Sequence, residues 1–473
     1  MNTPIADFVT KYAASDAVRF HMPGPKGQSV LGCEKLDITE ISGADALYEA
    51  SGIISESEAN ATELFGTGRT LYSTEGSSQC VRAMLELARR WWVQKTGEGS
   101  LVKNSVGKLC ADNIIAGNGK RPVVIAARNA HKAFLYAAIL LDFDVVWLWP
   151  EEENASLCSC VVMPSTLERV LSEQKGNVAA VYLTSPNYLG GIADIATMAT
   201  ICHQHNTLLL VDNAHGAYLH FLENSRHPMD LGADLCCDSA HKTLPVLTGG
   251  AYLHIGKNAP EKLAEWSKGA MELFGSTSPS YLILQSLDLC NRYLSDGYRE
   301  RLKEACEVLE NCRCRLKENG WQVEETDPLR LTIKAPCGLN GMKLAEQLRS
   351  SCMECEYADE DYLVLMVTPE NTDADFERLI TILGKNKLNP NIINVKNKVK
   401  LATNAERVMN VWDAYFSNGE IVPVENALGR ICRMPTATCP PAIPVVVPGE
   451  RIDELAVQSF LYYGITQIEV VQE

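Results

Sequence analysis

Between residues 122 and 211, short apolar runs alternate regularly with segments that carry apolar residues at helical spacing. The apolar runs are typical of strands buried on both faces, because they are short and end at polar or glycine residues. Repeated βα units predict an α/β fold whose mostly parallel sheet has helices on both faces. We expect strands over 123–127, 145–148, 179–183 and 208–211, and helices over 133–141, 167–173 and 195–205.

Asp212 directly follows the last of these strands and precedes Asn213, Ala214, His215 and Gly216. Open α/β sheets bind ligands at the carboxyl ends of their strands, where this side chain is expected. A carboxylate in that place could hold a proton on a pyridine nitrogen, which makes pyridoxal phosphate a strong electron sink. Seen alone, an aspartate that only caps the following turn is the alternative interpretation.

Lys242 lies among small and hydroxylic residues, between an apolar run over 235–237 and the pair Gly249 and Gly250. This arrangement places the lysine where a strand gives way to a loop, the usual location of reactive groups on an α/β scaffold. A partly desolvated amine there is a candidate for Schiff-base formation. A surface lysine in a β-turn is the alternative.

A third candidate element is Gly76-Ser77-Ser78, which opens a segment of helical periodicity. Phosphate at a helix N-terminus gains from free N–H groups and from the helix dipole. A helix capped by Ser77 or Ser78 without a ligand is the alternative. Glu75 precedes this loop, and since a carboxylate repels phosphate, we expect its side chain to point away.

Bulk properties limit the possible partners. The 473 residues suffice for two or three domains, and the formal net charge of −16 argues against nucleic acid while remaining compatible with a small cationic substrate. No apolar run is long enough to span a membrane, and the N-terminus lacks a signal-peptide pattern. The 17 cysteines lack the spacing of metal sites, so we expect reduced thiols, no metal and a cytoplasmic location.

Eight motifs cover nearly the whole chain: HMPG at 21–24 with Lys26-Gly27, STEGSS at 73–78, RNAHK at 128–132, TSPNY at 184–188, VDNAHGAYLHF at 211–221, SAHKTLPVLTGGAYLH at 239–254, STSPSY at 276–281, and PPAIP at 440–444 with PGE at 448–450. In sequence and in order they resemble the ornithine/lysine/arginine decarboxylase family, in its short form without a receiver-like N-terminal domain. The resemblance implies pyridoxal 5'-phosphate as cofactor and the fold of type I pyridoxal-phosphate enzymes.

The resemblance also assigns roles to individual residues. Lys242 carries the cofactor as a Schiff base, and His131 and His241 join it as catalytic groups. Glu450 faces the far end of the substrate, and Thr277 reaches the phosphate of a neighbouring subunit, which implies a homodimer or larger assembly with a shared active site. The residues implied to bind the cofactor are Gly76, Ser77, Ser78, His131, Asp212, Ala214, His215, Ser239, His241, Lys242 and Thr277.

The function implied is decarboxylation of arginine, lysine or ornithine to the amine and CO₂, with arginine slightly favoured, as in polyamine biosynthesis. Another pyridoxal-phosphate reaction, that of an aminotransferase or lyase, is the alternative, and Arg330 is then a conceivable carboxylate ligand. A further alternative is a non-catalytic binding protein that has kept the fold.

Pro25 and Ala46 depart from the family pattern, which has His and Asp there. The expected organisation is an arm over 1–60, a large cofactor-binding domain over 61–300, a smaller α+β domain over 301–390 and a C-terminal segment over 391–473.

Overall fold

The computed structural model describes residues 1–97, 121–151, 156–174, 176–386, 405–436 and 441–472. Nearly all of the glycine-rich stretch over 97–120, which the sequence predicts to be a long connection, lies outside the described residues. So does most of the stretch over 384–400, whose many Asn and Lys residues predict a linker. The expected domain boundaries stay predictions.

A seven-stranded sheet lies at the centre of the larger part of the molecule, in the order β1-β7-β6-β5-β4-β2-β3. The five neighbouring strands β6, β5, β4, β2 and β3 are parallel to one another. Strand β7 runs antiparallel to both of its neighbours, β6 and β1. The predicted mostly parallel sheet is thereby confirmed. The strands are β1 (Arg69–Ser73), β2 (Val123–Ala127), β3 (Asp144–Leu148), β4 (Val178–Thr184), β5 (Leu208–Asp212), β6 (Leu235–Asp238) and β7 (Ala251–Ile255).

Helices cover both faces of this sheet, because successive strand residues point to opposite sides. In β2, Val124 and Ala126 join one apolar cluster, whereas Val123, Ile125 and Ala127 join another. The first eight helices along the chain, among them those that supply these two clusters, are α1 (Pro4–Ala13), α2 (Ile53–Leu64), α3 (Ser77–Thr96), α4 (Lys132–Leu140), α5 (Pro164–Glu173), α6 (Ile195–Gln204), α7 (Ala240–Thr243) and α8 (Glu261–Glu272).

A second, four-stranded antiparallel sheet follows, in the order β10-β11-β9-β8. It confirms the smaller α+β part expected from the sequence. Its strands and the helices of this region are α9 (Tyr281–Ser295), α10 (Tyr298–Glu318), β8 (Gln322–Val323), β9 (Arg330–Lys334), α11 (Gly341–Arg349), β10 (Tyr357–Ala358), β11 (Tyr362–Met366) and α12 (Asp373–Leu383).

The C-terminal region contains α13 (Val411–Phe416), β12 (Gly419–Pro423), α14 (Glu454–Tyr462) and β13 (Gln467–Val471), with β12 and β13 paired antiparallel. The residue pattern over 405–416 predicts a longer helix, but α13 begins only at Val411. Arg407 pairs with Glu450 in an isolated β-bridge, and the side chain of Asn410 accepts from Trp412 N to cap a shorter helix. Among the helices of the described ranges, none has the length and apolar character that crossing a membrane requires.

Candidate active site

Side chains at or just after the ends of four strands of the large sheet line one cavity of about 150 Å³. In register, Thr184 of β4 lies opposite Asp212 of β5, and Asp212 lies opposite Cys237 of β6. The loops after β2, β4, β5 and β6 therefore leave the sheet at the same edge, where ligands of open α/β sheets bind. Residues lining the cavity include Ser77, Asn129, His131, Thr184, Tyr188, Asp212, Ala214, His215 and Lys242.

The amine of Lys242 belongs to a buried chain of hydrogen bonds. Its Nζ lies 2.7 Å from Nε2 of His215, and Nδ1 of the same imidazole lies 3.0 Å from Nη2 of Arg330. A guanidinium can only donate, so Nδ1 accepts and Nε2 carries the ring proton. Nε2–H then donates to Nζ, which requires the uncharged amine.

The electrostatics agree with this assignment. Burial lowers the pKa of Lys242, the nearby charge of Asp212 partly opposes that effect, and the guanidinium of Arg330 adds to the lowering. Burial also holds the pKa of His215 well below the ordinary histidine value, with the charges of Lys242 and Arg330 acting in the same direction. An uncharged lysine amine in a cavity is a nucleophile ready to condense with an aldehyde.

The carboxylate of Asp212 is buried at the end of β5, with 5% of the residue exposed. Its Oδ2 accepts from the Tyr182 hydroxyl at 2.8 Å, and its Oδ1 accepts from Ala214 N at 3.2 Å. Both contacts fix the orientation of the carboxylate at the cavity wall. It is placed as a partner for a protonated ring nitrogen.

His131 is the N-cap residue of α4, and its Nδ1 accepts from Ala133 N at 3.1 Å. The neutral ring therefore carries its proton on Nε2. Burial lowers the pKa of His131, so the ring is uncharged at neutral pH and suited to packing against a flat aromatic ligand.

The N-terminus of α3, a feature suited to binding an anion, lies at the cavity. Ser77 lines the cavity, and its hydroxyl accepts from that of Ser239 at 2.8 Å, which joins α3 to the turn that carries Lys242. A 20-residue helix presents free first-turn N–H groups and a dipole favourable to phosphate. Glu75 points away as expected, since it accepts a hydrogen bond from Ser276 N.

The pair Gly249 and Gly250 shapes the loop that precedes α3. Gly249 has φ of +100°, and a Cβ atom there would stand 3.0 Å from the carbonyl oxygen of Thr74. Its own carbonyl oxygen accepts from Gly76 N at 2.7 Å. Only glycine allows this close approach without strain, so the Gly-Gly pair holds the loop before α3 in place.

Two polar side chains of the cavity lack partners within the described chain, and they test whether a cofactor fits. Oγ1 of Thr184 and both side-chain polar atoms of Asn129 are buried without a hydrogen bond from described residues. Such atoms normally have partners, because each unsatisfied one costs about 1–3 kcal/mol. Together with the uncharged Lys242, the oriented Asp212 and the helix terminus at Ser77, they fit the aldehyde, ring nitrogen, ring substituents and phosphate of pyridoxal phosphate.

A C-terminal segment forms another wall, with Pro441, Ala442 and Ile443 lining the cavity. The segment is anchored by a backbone hydrogen bond of 2.9 Å from Lys132 N to Ala442 O. Arg128 adds to this anchor, with Nη1 donating to Pro444 O at 2.9 Å.

Arg128 also holds the end of the segment. Its Nη2 donates to Val445 O at 3.0 Å and to Oε2 of Glu450 at 3.3 Å. The guanidinium lies over the rings of Trp147 and Trp149, at 5.2 and 5.1 Å from their centroids. The arginine of the RNAHK motif thus joins the C-terminal segment to the end of β2.

Two of the sequence assignments do not fall at the cavity. Glu450 is 2% exposed, and its carboxylate is engaged by Arg128 and by Val447 N. These contacts anchor the C-terminal segment, and the expected contact of Glu450 with the far end of the substrate stays a prediction. Thr277 is exposed and does not line this cavity, and its contact with a neighbouring subunit stays a prediction.

Other assigned residues surround the cavity without lining it, namely Gly76, Ser78, Ser239 and His241. Nδ1 of His241 donates to Gly250 O at 3.0 Å, and burial lowers the pKa of this imidazole. His241 shares α7 with Lys242, and its catalytic role stays a prediction.

Behind the site, Asp238 at the end of β6 accepts from two buried histidines. Nε2 of His227 and Nε2 of His254 lie 3.0 and 3.1 Å from its Oδ2. Asn213, next to Asp212, donates to Oδ1 at 2.7 Å. Nδ1 of His227 accepts from Met229 N at 3.3 Å, so its Nε2 carries the proton and the cluster is satisfied as a hydrogen-bond network. It fixes the strand end that precedes Lys242.

Sequence reasoning did not identify Asn129, Tyr182 or Tyr188 as site residues. Asn129 and Tyr188 stand within the RNAHK and TSPNY motifs, so their motif membership was an available signal. Tyr182 lies in a buried apolar strand, where only the position of its hydroxyl opposite Asp212 reveals its role. All cysteines of the described ranges are free thiols.

Comparisons with known proteins agree with the family resemblance of the sequence motifs. A sequence profile described as "Orn/Lys/Arg decarboxylase, major domain" matches residues 100–360, and one described as "Orn/Lys/Arg decarboxylase, C-terminal domain" matches residues 396–468. The arginine decarboxylase of Bacillus subtilis is 25% identical over 96% of this chain and 91% of its own length. The uncharacterized protein YaaO of the same organism is 28% identical over 97% of this chain and 94% of its own length. The Francisella novicida lysine decarboxylase LdcF shares the fold, with a TM-score of 0.78, 17% identity, and coverage of 99% of this chain and 81% of that one.

Proposed function

Because the chain belongs to the Orn/Lys/Arg decarboxylase family, whose members are pyridoxal-phosphate enzymes, we propose that it removes the α-carboxyl group of a basic amino acid through Schiff-base exchange at Lys242. The products are CO₂ and the corresponding amine. The observation that carries the proposal is the buried pair of Lys242 and His215, which presents an uncharged amine beside the fixed carboxylate of Asp212.

In this proposal Lys242 would hold the cofactor through its aldehyde, Asp212 would pair with its ring nitrogen, and Ser77 at the N-terminus of α3 would bind its phosphate. When bound, it supplies an electron sink that accepts the bonding electrons of the departing carboxyl group. His131 and Ala214, which line the cavity, would pack against the ring.

The chain's own groups then orient the substrate and handle protons. The bond to the carboxyl group breaks when it stands perpendicular to the ring plane, so side chains that position the substrate decide the reaction type. Asn129 and Thr184, whose polar side-chain atoms have no hydrogen-bond partner among the described residues, would hold the ring substituents and so fix the ring plane against which the substrate is oriented. Nε2–H of His215 is hydrogen-bonded to Nζ of Lys242 and provides the proton closest to that amine.

Arginine is the preferred substrate in this proposal, supported by similarity to arginine decarboxylases of Bacillus subtilis and Halalkalibacterium halodurans. The competing aminotransferase interpretation relied on Arg330 as the ligand of the substrate carboxylate. Arg330 is 1% exposed, donates to Tyr188 O and to His215, and lies 3.6 Å from Asp327. A guanidinium so engaged is a poor ligand for an incoming carboxylate.

The proposal is tested by product analysis. Purified protein with pyridoxal phosphate is given arginine, lysine or ornithine separately, and amines and CO₂ are quantified. We expect agmatine from arginine and its absence with Lys242→Ala. Keto acid with pyridoxamine phosphate, instead of amine with CO₂, would establish an aminotransferase.

A further inference from the structure

One alanine of the cavity wall has a backbone conformation that favours glycine. Ala442 lines the cavity and has φ of +57°. In this left-handed region the Cβ atom of an L-residue lies too close to the following carbonyl oxygen, whereas glycine has no such contact. Alanine also lacks the short polar side chain that makes asparagine and aspartate more tolerant of this region. The conformation of Ala442 therefore opposes local stability.

The other non-glycine residues with positive φ in the described ranges have an ordinary local reason for it. Asp142, Asn206 and Cys352 follow the C-terminal ends of α4, α6 and α11, where a left-handed residue commonly closes a helix. Lys26 lies in a hydrogen-bonded turn of the N-terminal arm. Ala442 follows no helix of the described ranges, and it is the one of these five residues that lines the cavity.

Hydrogen bonds hold the strained conformation in place. The carbonyl oxygen of Ala442 accepts from Lys132 N at 2.9 Å, and Arg128 donates to the carbonyl oxygens of Pro444 and Val445. On the side of the C-terminal segment these contacts use only the backbone, so glycine in place of Ala442 would keep them. What alanine adds is a single buried methyl group. Residues held in strained conformations cluster at sites that bind ligands.

The residues that line the cavity together with Ala442 include an apolar group: Pro441, Ile443, Val81 and Ala133. The groups assigned above to the cofactor's aldehyde, ring nitrogen and phosphate come from the large sheet, its loops and α3, and none belongs to the C-terminal segment. The room in front of this segment is therefore left for the substrate. The methylene stem is the part of a basic amino acid that has no polar atoms, and it suits an apolar wall.

We propose that the methyl group of Ala442 packs against the methylene stem of the substrate and narrows the cavity to the width of an unbranched chain. This inference rests on the proposed function, because it assumes a basic amino acid bound at Lys242. It makes Ala442 a residue that determines specificity. The strained alanine excludes amino acids that carry a branch beside the α-carbon, and glycine at this position would admit them.

The test compares Ala442→Gly with the wild type on arginine and on β-methylarginine, which carries an additional methyl group beside the α-carbon. For arginine, kcat/KM should fall about tenfold in Ala442→Gly, because one methyl contact with the stem is lost. For β-methylarginine, kcat/KM should rise, because the variant has room for the branch. The preference for arginine therefore falls by more than about tenfold, and an unchanged preference would overturn the inference.

Thermal unfolding separates this role from a structural one. Glycine adopts φ of +57° without strain, so Ala442→Gly should have a Tm equal to or above that of the wild type while it loses discrimination. The matched control is Ala427→Gly, in the same C-terminal region. Ala427 is fully buried, has φ of −87° and does not line the cavity, so this variant should lower Tm and leave the substrate preference unchanged. A Tm of Ala442→Gly below that of the wild type would overturn the argument from strain and the inference with it.

Binding gives a readout that does not depend on release of CO₂. Because the absorbance of the bound cofactor changes when an amino acid displaces Lys242, stopped-flow titration of the holoenzyme measures the affinity for both amino acids. If no amine is released but Ala442→Gly still binds arginine more weakly relative to β-methylarginine, the proposed function alone fails. If the wild type releases amine and Ala442→Gly keeps the same relative affinities and kcat/KM values, the inference fails and the function stands.

Discussion

Nη2 of Arg330 donates to Nδ1 of His215 at 3.0 Å, and this contact determines which nitrogen of the imidazole carries the proton. The other nitrogen meets Nζ of Lys242. Arg330 therefore controls the protonation of Lys242 without touching it.

Because of this contact, replacing Arg330 by Met should raise the pKa of Lys242 and therefore the pH at which its amine becomes reactive. The variant lacks a positive charge that lowers the pKa of Lys242, and it frees His215 to accept from a protonated amine. The measurement is the rate at which cofactor-free protein takes up pyridoxal phosphate across pH, followed by absorbance. Arg315→Met, which removes a surface partner of Glu377, is the control. A pH profile of Arg330→Met that coincides with this control would refute the coupling.

Asp212→Asn should lower kcat on the order of a hundredfold, because a neutral amide no longer stabilises positive charge on the ring nitrogen. Tyr182→Phe removes only the hydroxyl that orients Asp212 at 2.8 Å and should lower kcat by less. Steady-state kinetics with arginine and the absorbance spectrum of bound cofactor check both variants. Equal losses in the two would show that orientation, and not charge, is the dominant contribution of Asp212.

The pair formed by Arg128 and Glu450 should behave as a buried ion pair. Arg128→Met leaves the Glu450 carboxylate buried without its cation and should lower the free energy of unfolding by about 3–5 kcal/mol. The double variant Arg128→Met/Glu450→Met should be more stable than Arg128→Met alone, which chemical denaturation of all four proteins measures. Additive effects of the two single variants would contradict direct pairing.

Acid should destabilise the protein partly through His254. Burial lowers the pKa of His254 in the folded state, so the unfolded state binds the additional proton as pH falls through the ordinary histidine value of about 6.5. The stability contribution is therefore fully present above that pH and is lost below it. We expect a smaller fall in Tm between pH 7.5 and 5 for His254→Gln than for wild type, with His205→Gln, outside the Asp238 cluster, as control. Parallel Tm curves would exclude His254 as a contributor.

The part of the site that follows from strand position was predictable from the sequence. Asp212 and Lys242 come directly after apolar runs, and parallel strands bring such positions to one edge of a sheet. The N-terminus of α3 at Ser77 was predictable for a similar reason, since glycine and hydroxyl residues precede a helical pattern. These inferences need only local sequence and the geometry of βα units.

Contacts between distant segments were not predictable in the same way. Arg128 and Glu450 are 322 positions apart, and nothing near Glu450 indicates that its charge is neutralised internally. The hydrogen bond from the Tyr188 hydroxyl to Glu356 likewise joins residues 168 positions apart, and no local motif indicates it. In both cases, the partner of the carboxylate is decided by packing between parts of the chain that local patterns do not relate.

The wall formed by Pro441, Ala442 and Ile443 has a consequence for biosynthesis. Because chains emerge from the ribosome N-terminus first, Lys242 and Asp212 leave the exit tunnel about 200 residues before this wall does. At elongation rates of about 5–20 residues per second, the nascent chain spends roughly 10–40 seconds with Lys242 outside the tunnel and no closed pocket around it. We therefore expect stable retention of the cofactor only after the C-terminal wall of the cavity has been synthesised.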